Sequence, residues 1–367
     1  MPMPPPRPML PAPPSLPVPV FVTSCNTTCI DFRYNPVLTG TIPYNFTQEQ
    51  CASYAANVDA DLAAAATAAG AVIAQPFSLT TCDKGLVRVC GAFANDTERQ
   101  KLWPLDDLLT RWLTTLLIDP GRGGGGEGEG ASCPTYFYNR TLTVSAVGYN
   151  GGIPVQPGES TPALCRYDEA KFDCAFPNIT FPTCRCDTQV GSAPFAAQPF
   201  YTTKPGRRAS TTLYCFTFST FTADSNATCG NATVFQKVEF WANDALRRNV
   251  RGFGLRPEGA ANMSFVFVSW GGQGDATLKA TALAWSLEQA SGAEICLELD
   301  SVVSLGDLCL GDYPNACVLS IYDASRKCCP AYAAMDKPYV PALPGGRTSH
   351  VMACNKRDRK LDEACVR

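Results

Sequence analysis

The chain has 367 residues, 46% of them hydrophobic, and its 30 basic and 33 acidic side chains leave a formal net charge of -3. That length accommodates two ordinary domains, and the apolar content excludes global disorder. The charge balance offers no basic excess to draw nucleic acid, and no run of 18 apolar residues exists to span a membrane as a helix; the nearest approach, Leu62–Ala74, is alanine-rich and too short.

In chain order, residues 1–23 read as a proline-rich extended arm, because proline fixes φ and removes amide donors. Met1 is followed by prolines rather than by a charged and then apolar segment, so the expectation is a processed chain or part of a longer precursor. Residues 24–150 alternate element types. Cys29–Tyr34 starts a strand. Thr47 and Gln50 form a capping-box pattern that opens a helix with Tyr54, Val58, Leu62, Ala66, Ala69 and Ile73 on one face. Phe77–Cys82 and Leu86–Phe93 read as strands around an Asp83-Lys84-Gly85 turn. Pro104 suits the first turn of a second helix, with Asp106 and Asp107 at its positive end and a stripe from Leu105 to Leu117. Tyr136–Val147 closes the unit as a strand. The order βαββαβ predicts a ferredoxin-like α+β domain.

Residues 151–180 read as a Pro/Gly-containing connector with Cys165 and Cys174 to pin it. Residues 181–332 change character, with strand-like runs at Leu213–Thr220, Val234–Trp241, Ser264–Trp270, Leu278–Leu287, Ile295–Leu299 and Val318–Tyr322. Many short strands and few helices predict an antiparallel β-sandwich. Residues 333–367 are polar, with KRDRK at 356–360, and read as a surface tail.

The 19 cysteines point to an oxidising compartment and a disulfide framework. Zinc would want CxxC pairs or Cys/His clusters, and the chain has no CxxC and a single histidine, His350. The disulfide candidates are Cys25, Cys29, Cys51, Cys82, Cys90, Cys133, Cys165, Cys174, Cys184, Cys186, Cys215, Cys229, Cys296, Cys309, Cys317, Cys328 and Cys329; Cys354 and Cys365 lie in the tail. Cys184/Cys186 and Cys328/Cys329 bracket the second domain, and pairing between those ends would staple it, each bond contributing on the order of 4 kcal/mol. An odd total leaves one cysteine over after internal pairing, free or available to another chain. Asn-x-Ser/Thr sequons begin at Asn26, Asn45, Asn95, Asn139, Asn178, Asn226, Asn231 and Asn262, eight of 15 asparagines where chance gives about two. Together these features predict a secreted, N-glycosylated protein.

The segments FPTCRCDT (181–188), TTLYCFTFST (211–220), ATCGNAT (227–233), EFWANDALRRNVRG (239–252), ATLKAT (276–281), ICLELD (295–300) and KCCP (327–330) resemble the pherophorin domain. Pherophorins are matrix and cell-wall glycoproteins of volvocine green algae. The resemblance implies a structural role in crosslinking or layering matrix as fibrils, with some relatives acting as secreted sexual-inducer signals. It also implies O-glycans on hydroxylated prolines, here Pro4, Pro5, Pro6, Pro8, Pro11, Pro13 and Pro14. Residues 24–175 look like the family's companion domain.

Other candidate chemistry is weak. GRGGGGEGEG at 121–130 lacks the GK[ST] of a nucleotide loop, and its glutamates would repel phosphate. Asp106 and Asp107 are adjacent and face different directions on a helix, so they suit the helix dipole rather than acid–base work. His350 lies too far along the chain to serve a cysteine nucleophile. Trp241 with Arg247, Arg248 and Arg251 could contact a polysaccharide through stacking and guanidinium forks, the alternative function being a carbohydrate-binding matrix module. No enzyme, cofactor or metal is expected. The expected partners are copies of the chain, docked head-to-tail through the arm at residues 1–22, and other matrix glycoproteins or polysaccharides, in addition to the covalent N- and O-glycans. Neither nucleic acid nor a membrane span is expected.

Overall fold

The computed structural model describes residues 25, 27–36, 42–118, 133–150, 153–154, 167–177, 179–183, 185–281, 283–311 and 315–344. The proline arm with its seven candidate hydroxyprolines, Asn26, Cys165, Asn178, Cys184, the 121–130 loop and residues 345–367 lie outside them.

The first half is one antiparallel sheet with helices against it. Its strands are β1 (Thr27–Pro36), β2 (Ile73–Asp83), β3 (Leu86–Phe93), β4 (Arg140–Asn150), β5 (Ile153–Pro154) and β6 (Tyr167–Cys174), in the order β2-β3-β1-β4-β5, with β6 also on β4. The longest helix, α1 (Gln48–Ala69), begins where the sequence places it: Gln50 N donates to Thr47 Oγ1 at 3.2 Å and Thr47 N donates to Gln50 Oε1 at 3.0 Å. Cys51, Tyr54, Val58, Leu62 and Ala66 form its buried stripe, at the three- to four-residue spacing of one helical face. Gly70 ends it at φ 63, a left-handed conformation that glycine adopts without a Cβ clash. Ile73, read from sequence as helical, therefore starts β2.

Four further differences arise here. A short helix α2 (Asp96–Gln100) follows β3, capped by Asn95. Helix α3 (Asp106–Trp112) begins two residues after Pro104 and widens into a π turn over Leu113–Leu117. Thr135–Phe137 turn as a 3-10 helix before β4, and the expected connector holds strand β6, whose mixed burial gives no clean alternation to read. Trp112 sets α3 against α1, its Nε1 donating to Asp61 Oδ2 at 2.7 Å.

The second half packs two antiparallel sheets face to face. The strands are β7 (Phe195–Pro205), β8 (Thr211–Thr220), β9 (Val234–Trp241), β10 (Val250–Arg256), β11 (Ser264–Val266), β12 (Ser269–Trp270), β13 (Thr277–Ala280), β14 (Trp285–Ser286), β15 (Glu294–Asp300), β16 (Cys317–Asp323) and β17 (Ala331–Ala334). One sheet runs β11-β10-β15-β8-β7 and the other β12-β13-β9-β16-β17, with β14 on β9. Short helices α4 (Leu287–Ala290) and α5 (Leu305–Leu308) precede β15 and β16. Ser264–Trp270, read as one strand, divides between the two sheets.

Alternation builds the sandwich core. Phe216 and Phe218 on β8 and Phe253 on β10 face Phe235 and Phe240 on β9, with ring centroids 5.0 Å apart for Phe216–Phe240 and 5.6 Å for Phe240–Phe253. Burial of each such ring contributes about 1.5–3 kcal/mol relative to exposure.

The two halves touch. Met335 and Ala316 belong to the core of the first half, and Phe200 on β7 packs against it. The described residues beyond 332 do not trail as a polar tail. Ala333, Ala334 and Met335 are buried, and the backbone oxygens of Pro341 and Ala342 accept from Ser53 and Asn57 on α1. Met335 in the core of the first half and hydrogen bonds from α1 hold this stretch, which the polar residues after 344 conceal in the sequence.

Candidate functional site

The junction between the halves is an aromatic knot. Tyr44 stacks on Tyr136 at 4.3 Å, and Phe200 approaches both rings, at 5.9 and 5.5 Å. Gln50 at the start of α1 donates to the Tyr136 hydroxyl at 3.3 Å and accepts from the Tyr44 hydroxyl. Arg140, at the start of β4 and 4% exposed, lies over the Tyr34 ring at 4.4 Å and donates to the Ile42 carbonyl. Burial pulls the Arg140 guanidinium below its ordinary pKa, partly offset by Tyr34, and burial pushes the Tyr44 phenol up.

Beside the knot runs a line of hollows. A small one, about 50 Å³, is walled by Thr135, Asn139, Arg140 and Tyr332. A larger one, about 280 Å³, is walled by Asn139, Phe176, Ile179, Phe181, Gln189 and Ala331. A third, about 320 Å³, is polar, with Asp187, Ser192, Asp224 and Asn226 in its wall. The first and second share Asn139, and the second and third share Gln189 and Val190.

The described sequon asparagines sit at the surface. Asn45, Asn226, Asn231 and Asn262 are exposed. Asn95 is exposed too, but its side-chain oxygen accepts from Glu98 N at 3.0 Å as the cap of α2. Asn139 is half-buried at a turn, with φ 61, a left-handed conformation that asparagine tolerates better than most residues. Its backbone N–H donates to the Cys174 carbonyl at 2.7 Å, and the sequon's Thr141 donates to Asp173 at 2.6 Å.

Seven disulfides join described residues. Cys29–Cys90, Cys51–Cys82 and Cys133–Cys174 tie the first half. Cys186–Cys329, Cys215–Cys296, Cys229–Cys328 and Cys309–Cys317 tie the second. Cys25 is also disulfide-bonded. Cys186–Cys329 joins the two ends of the sandwich, and Asp187 N donates to the Lys327 carbonyl alongside it at 2.8 Å.

Trp241, Arg247, Arg248 and Arg251 do not make one surface. Trp241 stacks on Phe181, with centroids 6.4 Å apart, on the outer face of β9. Arg247 lies over Trp270 at 5.0 Å and donates to the carbonyls of Gly271 and Gly272. Arg248 is exposed. Arg251 is on the other sheet, where it forks onto Asp300 at 2.6 and 2.5 Å. Sequence proximity brings these residues close along the chain, but the turn Asp244–Asn249 carries it from one sheet to the other between them.

Arg251 belongs instead to an ionic row that sequence reasoning missed. Alternate residues of β15, Glu294, Glu298 and Asp300, line up on the outer face of the first sheet. Lys204 and Arg256 meet Glu294 at 2.9 and 2.8 Å, and Arg207 meets Glu298 at 2.6 Å. The signal was present in ICLELD as alternation, but its cations come from three other segments. Asp106 and Asp107 are exposed in the first turn of α3. Among the described residues no cluster of three or more His, Cys, Asp or Glu could hold a metal ion, and no helix is long and apolar enough to cross a membrane.

Comparison with known proteins places these features. Residues 181–330 match the family profile described as Pherophorin. The chain is 32% identical to Perphorin-1 of Volvox carteri over 333 residues, covering 88% of this chain and 60% of that protein. It is 28% identical to Perphorin-2 of the same organism over 333 residues, covering 88% and 64%. The chain thus spans less than two thirds of the length of these two relatives. The Volvox carteri sexual inducer glycoprotein is 27% identical over 182 residues, 44% of this chain and 85% of that protein. Among solved structures, the B domain of a biofilm-associated protein aligns over 84% of this chain and 77% of its own at 8% identity, with a TM-score of 0.26, too low to carry an argument.

Proposed function

The chain belongs to the pherophorin family, and from that premise we propose that it is a secreted structural glycoprotein of an extracellular matrix or cell wall, self-assembling or crosslinking into fibrils. The observation that carries this reading is the coincidence of the matched segment with the sandwich that four disulfides lock. Such a framework persists in an oxidising, extracellular compartment. No catalytic role is assigned. The partners are copies of the chain, other matrix glycoproteins and polysaccharides, together with covalent N-glycans on the eight sequons and O-glycans on the N-terminal prolines.

Assembly runs through the arm. In polyproline II, about 20 residues at roughly 3.1 Å each reach about 60 Å, enough to lie on a neighbouring copy. Leu16, Val18 and Val20 alternate with prolines, leaving donors on one side for pairing with a sheet edge. Head-to-tail contacts of this kind do not close and build filaments. The test is deletion of residues 1–22, followed by sizing and negative-stain imaging. Filaments from the full chain and none from the truncated one are expected; identical assemblies from both, or none from the full chain, overturn the proposal.

Two finer readings accompany it. The ferredoxin-like assignment for residues 24–150 is supported by the antiparallel strand order β2-β3-β1-β4, and the division from 181–332 by two separate apolar cores. A signalling role is the second functional reading, favoured by the similarity to the sexual inducer glycoprotein. Extraction distinguishes them: a matrix protein is abundant and resists extraction, whereas a signal is scarce and freely soluble.

A further inference from the structure

We propose that the N-glycan on Asn139 lies folded against the protein, its first sugars seated in the 280 Å³ cleft and wedged between the two halves. The proposal rests on the glycoprotein reading and goes beyond it to one glycan and one binding site. Asn139 is half-buried, while the other described sequon asparagines are exposed, and it is itself part of the cleft wall. A sugar attached there starts at the cleft wall.

The wall chemistry suits that occupant. The first residue of an N-linked chain is an N-acetylglucosamine, with an apolar ring face, an acetamido methyl and several hydroxyls. Phe176, Ile179 and Phe181 supply apolar surface, and aromatic faces take up such rings while leaving the hydroxyls in water. Thr188 and Gln189 bring polar side chains to the same wall. The rings are held in place: Phe176 meets Tyr138 edge-on at 5.4 Å and Phe181 stacks on Trp241. At about 280 Å³ the space is near the low end of small-ligand clefts, about 300–1,000 Å³, which suits one or two sugars rather than a branched tree. The hollow at Asn226 offers two aspartates and no aromatic ring, so a glycan there gains no comparable surface.

The walls also come from both halves. Asn139 precedes β4 of the first sheet, whereas Ala331 opens β17 of the sandwich. A seated sugar therefore touches both, and its contacts are covalently tethered, so its effective concentration at the cleft is high without any free-ligand affinity.

The test uses the full secreted chain carrying high-mannose glycans. N178Q is included throughout, so that the neighbouring sequon cannot be mistaken for Asn139. Native protein is digested with an endoglycosidase that cuts between the first two N-acetylglucosamines, and site-specific release is followed by mass spectrometry. Release at Asn139 is expected at least about tenfold slower than at Asn262, with the difference abolished by reduction and denaturation. F176A should speed release at Asn139 and leave Asn262 unchanged. Equal native rates at the two sites, an unoccupied Asn139 beside occupied sequons, or no effect of F176A would overturn the seating. A chain with no glycan at any sequon would overturn the glycoprotein reading itself.

Discussion

Gln50 holds Tyr339 across 289 residues of sequence: its side-chain amide donates to the Tyr339 carbonyl at 2.8 Å, from a position with no solvent exposure. The same side chain serves Tyr44, Tyr136 and Thr47 N, so four residues bond to it. Gln50→Leu would remove every one of these bonds at a buried position and take the acceptor from the buried Tyr44 hydroxyl. We expect a loss of about 1–3 kcal/mol in urea unfolding, with residues 336–343 becoming the first site of limited proteolysis. An unchanged urea midpoint would show that the contact is dispensable.

The Cys186–Cys329 bond should be the costliest to remove from the sandwich, since it closes the longest loop, with a sequence separation of 143. The double variant C186S/C329S should lose about 2–5 kcal/mol. Removing Cys309–Cys317, which closes a separation of only 8, should cost less. Calorimetry on the two variants gives the ranking, and the reverse order would contradict it.

Acid should weaken the ionic row on β15. For Glu294, burial disfavours the charge, but hydrogen bonds from Lys204 and Arg256 outweigh it and hold the carboxyl below its ordinary pKa; for Glu298, bonds from Thr211 and Arg207 do the same against burial. A depressed folded pKa gives stability that is present above the unfolded value, about 4.3, and lost as pH falls through the folded one. E298Q should therefore be less stable than wild type at pH 7, by a margin that narrows at pH 3. Parallel urea midpoints at both pH values test this, and a constant difference would reject the linkage.

Phe240 occupies the centre of the sandwich, fully buried between Phe216 and Phe253. Phe240→Ala should cost about 3–5 kcal/mol, transfer and cavity terms together. Thr233→Ala, which removes the sequon at Asn231 on an exposed turn, should change stability of the unglycosylated chain by less than about 0.5 kcal/mol. Thermal melts of the two variants give the comparison.

The legible parts of the fold were those with local causes. Thr47 and Gln50 announce α1 because both halves of the cap lie within four residues, and Asp83-Lys84-Gly85 announces its hairpin for the same reason. Strand β10, VRGFGLR, reads poorly because Gly254 interrupts it. The structure explains that glycine: a Cβ there would come within 2.2 Å of the Met263 sulfur. Strand β7 hides because its register shifts between Ala197 and Tyr201, breaking the two-residue period. Trp241 looked available for a ligand because its partner, Phe181, lies 60 residues upstream, beyond the reach of any local pattern. The clefts were illegible for a similar reason, since Asn139, Phe176 and Ala331 meet only after three segments fold.

The bond between Cys186 and Cys329 also sets how the molecule bears load. A pull applied between a residue before 186 and one after 329 passes through that covalent bridge and bypasses the strands from β7 to β16, leaving only β17, which follows Cys329, in the line of force. The loop it encloses stays slack and does not lengthen under tension while the bridge is intact. Reduction would place the whole enclosed loop in series with the force. At roughly 3.3–3.6 Å per residue, a single chain would then gain some hundreds of ångströms of extension. In a fabric of such chains, thiol chemistry would tune how far the material can stretch.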